Sequence, residues 1–266
     1  MKMIIIGPTG KMGKAMVKCA HENPDIELVG AVGPKGRDYI GKDIGLTCNL
    51  GETINIEVHD HLDEIIHRCD LVLDCTIPEV SMQALECCVK HKKAFVSGTT
   101  GFSEDEKTAF KKAGESIPVV LASNTSKMMN ILLKIIKSVA STIGSQGDID
   151  IIDMHDNKKL DAPSGTAKSI AEIISQELNY ESNDFTYGRN GLGIRKDSSI
   201  AFNSIRSGGL PGSIKVIFGY ENERMELSAH VYNMKTYASG MIEAGLFLKG
   251  KQPGLYNVKE VFNISP

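Results

Sequence analysis

No apolar run in this 266-residue chain approaches the ~20 residues that a membrane-spanning helix requires, so no span is expected. No two of its six cysteines, Cys19, Cys48, Cys69, Cys75, Cys87 and Cys88, form a C-x-x-C pair, and several fall in apolar helix or strand patterns. Buried, reduced thiols are the expectation, and neither a disulfide framework nor a cysteine-rich metal site is predicted. Charge of neither sign dominates. A formal net charge of −3 gives no electrostatic reason to expect nucleic acid or an anionic membrane as a partner. No internal repeat and no low-complexity linker interrupts the chain. Met1-Lys2-Met3 leads into a strand pattern and not into a signal peptide, so a cytoplasmic location is expected. The length suffices for two modest domains, each with a core of its own.

What is present begins at once. Met3-Ile4-Ile5-Ile6 has the character of a buried strand, and Gly7-Pro8-Thr9-Gly10-Lys11-Met12-Gly13 leads from it into a helical segment ending near Pro24. Strand, glycine turn and helix in that order form the opening of a dinucleotide-binding unit. Glycines let the backbone approach a pyrophosphate, and the helix N-terminus supplies donors and a positive dipole end. The spacing is Gly-x-x-Gly-x-x-Gly, with Thr9 where the commonest dehydrogenase fingerprint has its second glycine. Downstream, Ile26–Val32, Leu71–Cys75, Ala94–Ser97 and Pro118–Ala122 read as short buried strands. Leu62–Cys69, Val80–His91 and Glu104–Ala113 between them have helical periodicity. This alternation predicts a Rossmann-type, doubly wound parallel sheet over residues 1–127. A dinucleotide would lie at the carboxyl ends of its strands, where Gly7, Gly98-Thr99-Thr100 and Ala122-Ser123-Asn124-Thr125 fall. Each of these turns alone is also compatible with a plain strand-ending loop.

Over residues 128–235 the pattern changes to an α+β domain with an open mixed sheet. A helix to about Ile143 precedes a strand around Ile149–Met154, a polar loop and a helix from Gly165 to Leu178. Three strands follow, Ile200–Arg206, Ile214–Tyr220 and Met225–Val231. The turns Gly208-Gly209-Leu210-Pro211-Gly212 and Tyr220-Glu221-Asn222-Glu223 predict that these consecutive strands pair in a mostly antiparallel sheet. The loop reads Met154-His155-Asp156-Asn157-Lys158-Lys159-Leu160-Asp161-Ala162-Pro163-Ser164-Gly165-Thr166-Ala167. It sets an imidazole and an ammonium within four residues of each other, just before a new helix N-terminus, with Pro163 expected at the start of the helical turn. A helix start favours a carboxylate or phosphate, while His155 and Lys159 can protonate or polarise what that anion is attached to. A small acidic substrate is implied. The plainer alternative is a capped helix beside surface lysines.

Together the two segments resemble the 4-hydroxy-tetrahydrodipicolinate reductase family, also called dihydrodipicolinate reductases. The likeness extends to Gly98-Thr99-Thr100-Gly101-Phe102, to Ser123-Asn124-Thr125-Ser126 with Asn130 after it, and to the ending Gly250-Lys251-Gln252-Pro253-Gly254-Leu255-Tyr256. Lys-x-Asp-Ala-Pro-Ser-Gly-Thr, from Lys159 to Thr166, is its most specific part. The resemblance implies NAD(P)H-dependent reduction of a cyclic dicarboxylic acid that loses water and has a C=C–C=N system reduced, within lysine and diaminopimelate biosynthesis. It gives His155 the role of proton donor and Lys159 that of assisting protonation and water loss. Gly165 and Thr166 become holders of a substrate carboxylate. The turns at Gly98–Thr100 and Ala122–Thr125 would contact the nicotinamide half of the cofactor, and Gly7 to Met12 its phosphates. It also implies that residues 236–266, a helix near Thr236–Leu248 and a tail, return to the dinucleotide-binding domain, and that the open sheets meet in a homotetramer.

The substrate half departs from the family pattern. The usual signature opens with glutamate and paired histidines, where this chain has Asp153, a single His155 and then Asp156. Pro211-Gly212-Ser213-Ile214 replaces the usual Val-Gly-Glu/Asp-His segment, and Asn233-Met234-Lys235 the Ser-Arg pair expected beyond His230. A related reductase of a different cyclic imino acid, or a non-catalytic nucleotide-binding regulator, therefore remain as alternatives. Asp156 would face the substrate. Strand two ends Ala31-Val32-Gly33-Pro34-Lys35-Gly36-Arg37 with no carboxylate for a ribose 2′-OH, so Lys35 and Arg37, with Lys11, are expected to favour NADPH over NADH. Arg189, Arg195 and Lys196 lie in a loop suited to closing over a substrate. No metal site is expected, and His59-Asp60-His61 reads as a solvated loop.

Overall fold

A computed structural model of the chain describes residues 1–143, 146–209 and 212–264. Its contacts divide it into two units, one made of Met1–Ser126 with the chain from Met234 onward, the other of Lys127–Asn233.

The first unit opens with β1 (Lys2–Ile6), four of whose five residues are buried. Gly7 follows at φ +70°, a left-handed conformation that glycine adopts without steric cost. α1 (Lys11–His21) starts after Gly10, and β2 (Glu27–Val32), α2 (Ile44–Thr47), β3 (Val58–His59) and α3 (Leu62–Ile65) come next. The helix predicted over Leu62–Cys69 thus ends at Ile65, and a 3₁₀ turn covers Ile66–Arg68. There Cys69 N–H bonds the Ile66 carbonyl three residues back, the tighter pattern common at helix ends. β4 (Leu71–Asp74), α4 (Pro78–His91), β5 (Ala94–Ser97), α5 (Glu104–Gly114) and β6 (Pro118–Leu121) complete the alternation. α4 begins two residues before the sequence reading because Pro78 occupies its first turn, where a missing N–H costs nothing. Ser103 and Glu106 form a reciprocal capping box at the start of α5.

The second unit supplies α6 (Lys127–Ile143), β7 (Asp148–His155), α7 (Gly165–Leu178), β8 (Phe185–Tyr187), β9 (Ile200–Arg206), β10 (Gly212–Gly219) and β11 (Arg224–Val231). The chain then re-enters the first unit as α8 (Lys235–Phe247), β12 (Gly254–Tyr256) and α9 (Val258–Val261).

The first sheet has the order β12-β6-β5-β4-β1-β2-β3, with parallel pairing throughout. Side chains alternate between two cores. Met3, Ile5, Leu71, Leu73 and Val96 meet α1 and α8 on one face, while Ile4, Ile6, Val72, Phe95 and Val119 meet α4 and α5 on the other. Burial on both faces explains the continuous Val/Leu/Ile runs of these strands. The chain runs outward from β1 to β3, then starts again on the far side of β1 with β4. That reversal leaves a crevice at the carboxyl ends of β1 and β4, the topological switch point where ligands of open α/β sheets bind.

The second sheet has the order β11-β10-β7-β9-β8. β7 pairs parallel with β9 and antiparallel with β10. The expected pairing of Ile200–Arg206 with Ile214–Tyr220 is therefore incorrect. Both edges of β7 are taken by these two strands, which lie on either side of it, so no hairpin joins them. Leu210 and Pro211 of the predicted turn lie outside the described residues. The turn at Tyr220–Glu223 does form a hairpin, between β10 and β11. Two pairings in this sheet are antiparallel and two parallel, so it is mixed, not mostly antiparallel. Ile149, Ile151, Phe202, Val216 and Phe218 form its core with Leu132 and Ile136 of α6 and Ile170 and Ile174 of α7.

Candidate active site

The signature loop leaves β7 at His155 and ends at α7. Ser164 caps that helix, its Oγ accepting a hydrogen bond from Ala167 N–H at 3.2 Å. Pro163 lies one residue before the cap, not inside the helix, and follows a cis peptide bond. Gly165 opens the helix on the exposed side, and a Cβ placed on it would meet nothing within 4 Å. Packing does not demand glycine there. The open backbone leaves room for a ligand atom at the positive end of a helix of 14 residues. Thr166 follows, half-buried.

Asp153 organises this loop from beneath. Its side chain is fully buried, and its Oδ2 accepts hydrogen bonds from Ser164 N–H and from Arg206 Nη2, both at 2.8 Å. Its Oδ1 lies 3.1 Å from His155 Nε2. Burial alone would raise the pKa of this carboxyl, but the His155 imidazole, the Arg206 guanidinium and the Ser164 N–H overcome burial and hold it well below the ordinary carboxylate range. Arg206, opposite His155 in the β7/β9 register, also donates to the carbonyls of Asp153 and Asp161. One guanidinium therefore ties both ends of the signature together.

The Lys159 ammonium lies 2.7 Å from Asp161 Oδ1 with its side chain mostly buried. Asp156 turns back on its own loop, accepting a hydrogen bond from Lys158 N–H at 2.8 Å. That contact gives the aspartate a local structural task in place of the family's histidine. His155, Lys159, Gly165 and Thr166 thus all belong to one loop and helix start, fixed to the sheet through Asp153 and Arg206.

Other expectations for this unit require correction. Arg195 is not a residue available to close over a substrate. It pairs with Asp148 at 2.9 Å and Asp150 at 2.7 Å, and donates to the carbonyls of Ile149 and Ser199, clamping the loop before β9 onto β7. Lys196 is likewise engaged, with Asp184 and the Asn183 carbonyl. Arg189 is exposed and donates to the Gly193 carbonyl.

In the first unit the glycine turn packs tightly. A Cβ on Gly13 would lie 1.9 Å from the Gly7 carbonyl oxygen, and one on Gly7 would lie 2.7 Å from Thr76 Cγ2. Glycine at both positions lets α1 start directly on the turn, the close approach a pyrophosphate needs. A cavity of about 670 Å³ at this end of the sheet is lined by Gly7, Lys35, Asp60 and Thr76 among others. A second, of about 430 Å³, brings together Gly7, Thr9, Gly10, Arg37, Asp38 and Tyr39. Both sit at the switch point, so the residues present fit a dinucleotide. Lys11 and Met12 lie in the first turn of α1, Lys11 exposed and Met12 half-buried, while Pro8 is buried and its carbonyl accepts a hydrogen bond from Cys48 Sγ.

Asp74, buried at the end of β4, joins the remaining turns. Its Oδ2 accepts from Ser97 Oγ at 3.0 Å and Thr99 Oγ1 at 2.8 Å, and Thr99 Oγ1 in turn accepts from Thr76 N–H. Thr99 therefore faces inward as a strut, leaving Thr100 exposed beside it; Gly98 N–H bonds the Asp74 carbonyl. Across β6, Ala122 and Thr125 are buried, Ser123 exposed and Asn124 half-buried. Thr125 Oγ1 donates to the Tyr237 carbonyl of α8 at 2.7 Å.

The expectation that no carboxylate stands near the end of β2 is also corrected. Asp38 shares a cavity wall with Arg37, and Asp60 of the loop after β3 shares one with Lys35. Three kinds of residue escape sequence reasoning here. Arg206 meets Asp153 across 53 positions of chain. Asp60 reaches its place only through the two-residue strand β3, and Asp74 looks like any strand-ending acid.

A glycine turn over a switch-point cavity in one unit, and an imidazole and an ammonium before a helix start in the other, are the equipment of the class to which sequence comparisons assign the chain, the NAD(P)H-dependent reductases. Residues 1–125 match the family model described as dihydrodipicolinate reductase, N-terminus, and residues 128–262 the one described as dihydrodipicolinate reductase, C-terminus. The chain belongs to the dihydrodipicolinate reductase family. It is 36% identical over 265 residues to the 4-hydroxy-tetrahydrodipicolinate reductase of Hahella chejuensis, covering 99% of both chains. It is 35% identical over 266 residues to the enzyme of the same name from Pseudomonas fluorescens, with the same coverage. The structure of a dipicolinate-bound dihydrodipicolinate reductase from Paenisporosarcina sp. TG-14 shares its fold, with a TM-score of 0.78, 24% identity and 99% coverage of both chains.

Proposed function

We propose that the chain reduces 4-hydroxy-tetrahydrodipicolinate to tetrahydrodipicolinate, using NADPH in preference to NADH, as a step of lysine and diaminopimelate biosynthesis. The observation that supports this reading is the signature loop, in which Asp153 meets His155 and the Ser164 N–H while Arg206 bridges Asp153 and the Asp161 carbonyl. A bound reduced nicotinamide supplies a hydride. The overall balance is substrate, NADPH and one proton giving product, NADP⁺ and water. Gly165 and Thr166 bind a ring carboxylate with backbone and hydroxyl donors. His155 delivers the proton, with the Asp153 carboxylate behind it fixing its orientation. Lys159 balances negative charge and assists the departure of water. Gly7 to Met12 bind the cofactor phosphates, and Gly98–Thr100 and Ala122–Thr125 its nicotinamide end. Residues 1–127 act as the dinucleotide-binding domain, joined by 236–266, and 128–235 as the substrate and oligomerisation domain of a cytoplasmic homotetramer.

The assay follows NADPH absorbance with enzymatically generated 4-hydroxy-tetrahydrodipicolinate, then with pyrroline and piperideine carboxylates. Turnover confined to the first supports the proposal. Turnover of another imine alone supports a different substrate, and cofactor binding with no turnover supports a regulator.

Asp156 is the observation that favours the second of these outcomes, because a carboxylate beside a dicarboxylic substrate repels it. For the proposed substrate, Asp156→His should lower KM; a rise would indicate a substrate cation at that position. Loss of the turn contact to Lys158 is expected to cost on the order of 1 kcal/mol of stability, too little to mask the kinetic sign.

Cofactor preference is read from the charges near the end of β2. Lys35 and Arg37 suit a 2′-phosphate, while Asp38 and Asp60 temper the selectivity. The wild type should show a higher kcat/KM with NADPH than with NADH, and a Lys35→Ala, Arg37→Ala double variant should reduce that ratio several-fold. Equal or better use of NADH by the wild type would refute the preference. An unchanged ratio in the variant would show that these two residues do not set it.

A further inference from the structure

We propose that Asp63, Cys87 and His91 form a binding site for a soft divalent cation of the zinc class, at the junction of α3 and α4. Cys87 and His91 are four residues apart on α4, so their side chains rise from the same helix face. Asp63, in the first turn of α3, meets them from the side. Asp63 Oδ1 lies 3.0 Å from His91 Nε2 and 3.7 Å from Cys87 Sγ, and the three ligand atoms lie within 4.8 Å of one another. In a tetrahedral zinc site, bonds of about 2.0 Å to nitrogen and oxygen and about 2.3 Å to sulfur place neighbouring ligand atoms roughly 3.3–3.6 Å apart. The 3.0 Å separation has to open slightly and the 3.7 Å separation to close slightly, while Cys87 and His91 approach by a rotation of their side chains.

The donor set selects the ion. Thiolate and imidazole favour zinc and cobalt over calcium and magnesium, which require oxygen ligands. Three protein ligands leave a fourth position for water.

Burial and the Asp63 carboxylate keep the Cys87 thiol protonated until a cation arrives, and the charge that Asp63 attracts is already cationic. Asp63 Oδ1 also receives the Lys90 ammonium at 2.7 Å, so ammonium, imidazole and thiol converge on a single oxygen. Lys90 holds the place of a cation there, and its side chain, 64% exposed, is free to swing into water when an ion arrives. On binding, the Cys87 thiol loses its proton to solvent and Asp63 exchanges an ammonium for the metal. Asp63 and Cys87 also line the cavity of about 670 Å³, so an ion bound here would form part of its wall.

The test is cobalt titration of the full chain, reduced with a non-chelating phosphine and kept free of oxygen. One equivalent of Co²⁺ should produce the intense visible bands of a tetrahedral cobalt–thiolate centre, and Zn²⁺ should abolish them. Cys87→Ser should remove the sulfur-to-cobalt band, and His91→Ala should weaken binding at least tenfold. Lys90→Ala should tighten binding several-fold by removing the competing ammonium, and Cys75→Ser should change nothing. Circular dichroism establishes that each variant is folded. No thiolate band in the wild type at millimolar cobalt, or a band that persists in Cys87→Ser, would overturn the proposal.

Discussion

Replacing His155 by alanine is expected to lower kcat by roughly 10²-fold or more while leaving NADPH affinity close to that of the wild type. The proton that completes the reduction has to come from a group whose two protonation states are both accessible near neutral pH, and imidazole is that group. In the proposed mechanism His155 supplies that group. Its ring is mostly buried, its Nε2 lies 3.1 Å from the Asp153 carboxylate, and its position at the end of β7 is fixed by pairing with Arg206 of β9. Lys159→Ala should bring a loss of the same order, since in the proposed mechanism it removes the ammonium that offsets the negative charge of the substrate and of Asp161. Cofactor affinity is expected to survive both changes, because Gly7, Thr9, Gly10 and the cavity residues belong to the other unit. Steady-state kinetics with a separate NADPH binding titration resolves the two effects. Undiminished kcat in Lys159→Ala would remove that side chain from the mechanism.

Asp153→Ala should destabilise the second unit by about 3–5 kcal/mol, because it strands the buried Arg206 guanidinium and the Ser164 N–H together. Asp153→Asn keeps the shape and should cost less, but should still lower kcat by removing the charge behind His155. The pH dependence has a definite sign. A carboxyl whose folded pKa lies below its unfolded value of about 3.9 contributes its full stabilisation above that pH, and loses it as the pH falls toward the folded value. The part of the wild-type/Asp153→Asn stability difference that comes from the Asp153 carboxylate should therefore be present above about pH 4 and shrink as the pH falls below it. Denaturant unfolding of both proteins across this range measures it. A difference under about 1 kcal/mol at pH 7 would show that Arg206 finds other partners.

Much of the first unit is legible in its sequence because parallel strands buried on both faces leave continuous apolar runs. Ala94–Ser97 matches β5 at both ends, and Gly165–Leu178 and Ile200–Arg206 likewise match α7 and β9. The strands missed are β3, β8 and β12, which have two or three residues each and are too short to show a period. Strand adjacency in the second unit is not legible in this way. Local turn residues favour pairing of β9 with β10, but the long crossover through α7 puts β7 between them, and nothing in a turn sequence records that. The signature loop announces its His, Lys and Gly-Thr start in order. What anchors it does not show, since Arg206 is distant in sequence and resembles any strand-ending arginine.

The most direct measurement is isotopic. NADPH carrying deuterium at both C4 positions of its nicotinamide is incubated with the protein and 4-hydroxy-tetrahydrodipicolinate, and the product is analysed by mass spectrometry and NMR. Tetrahydrodipicolinate with one deuterium on a ring carbon per NADPH consumed, at a rate that falls at least about 10²-fold in His155→Ala, is the predicted result. Product free of deuterium, or loss of water from the substrate with NADPH unconsumed, would contradict the account.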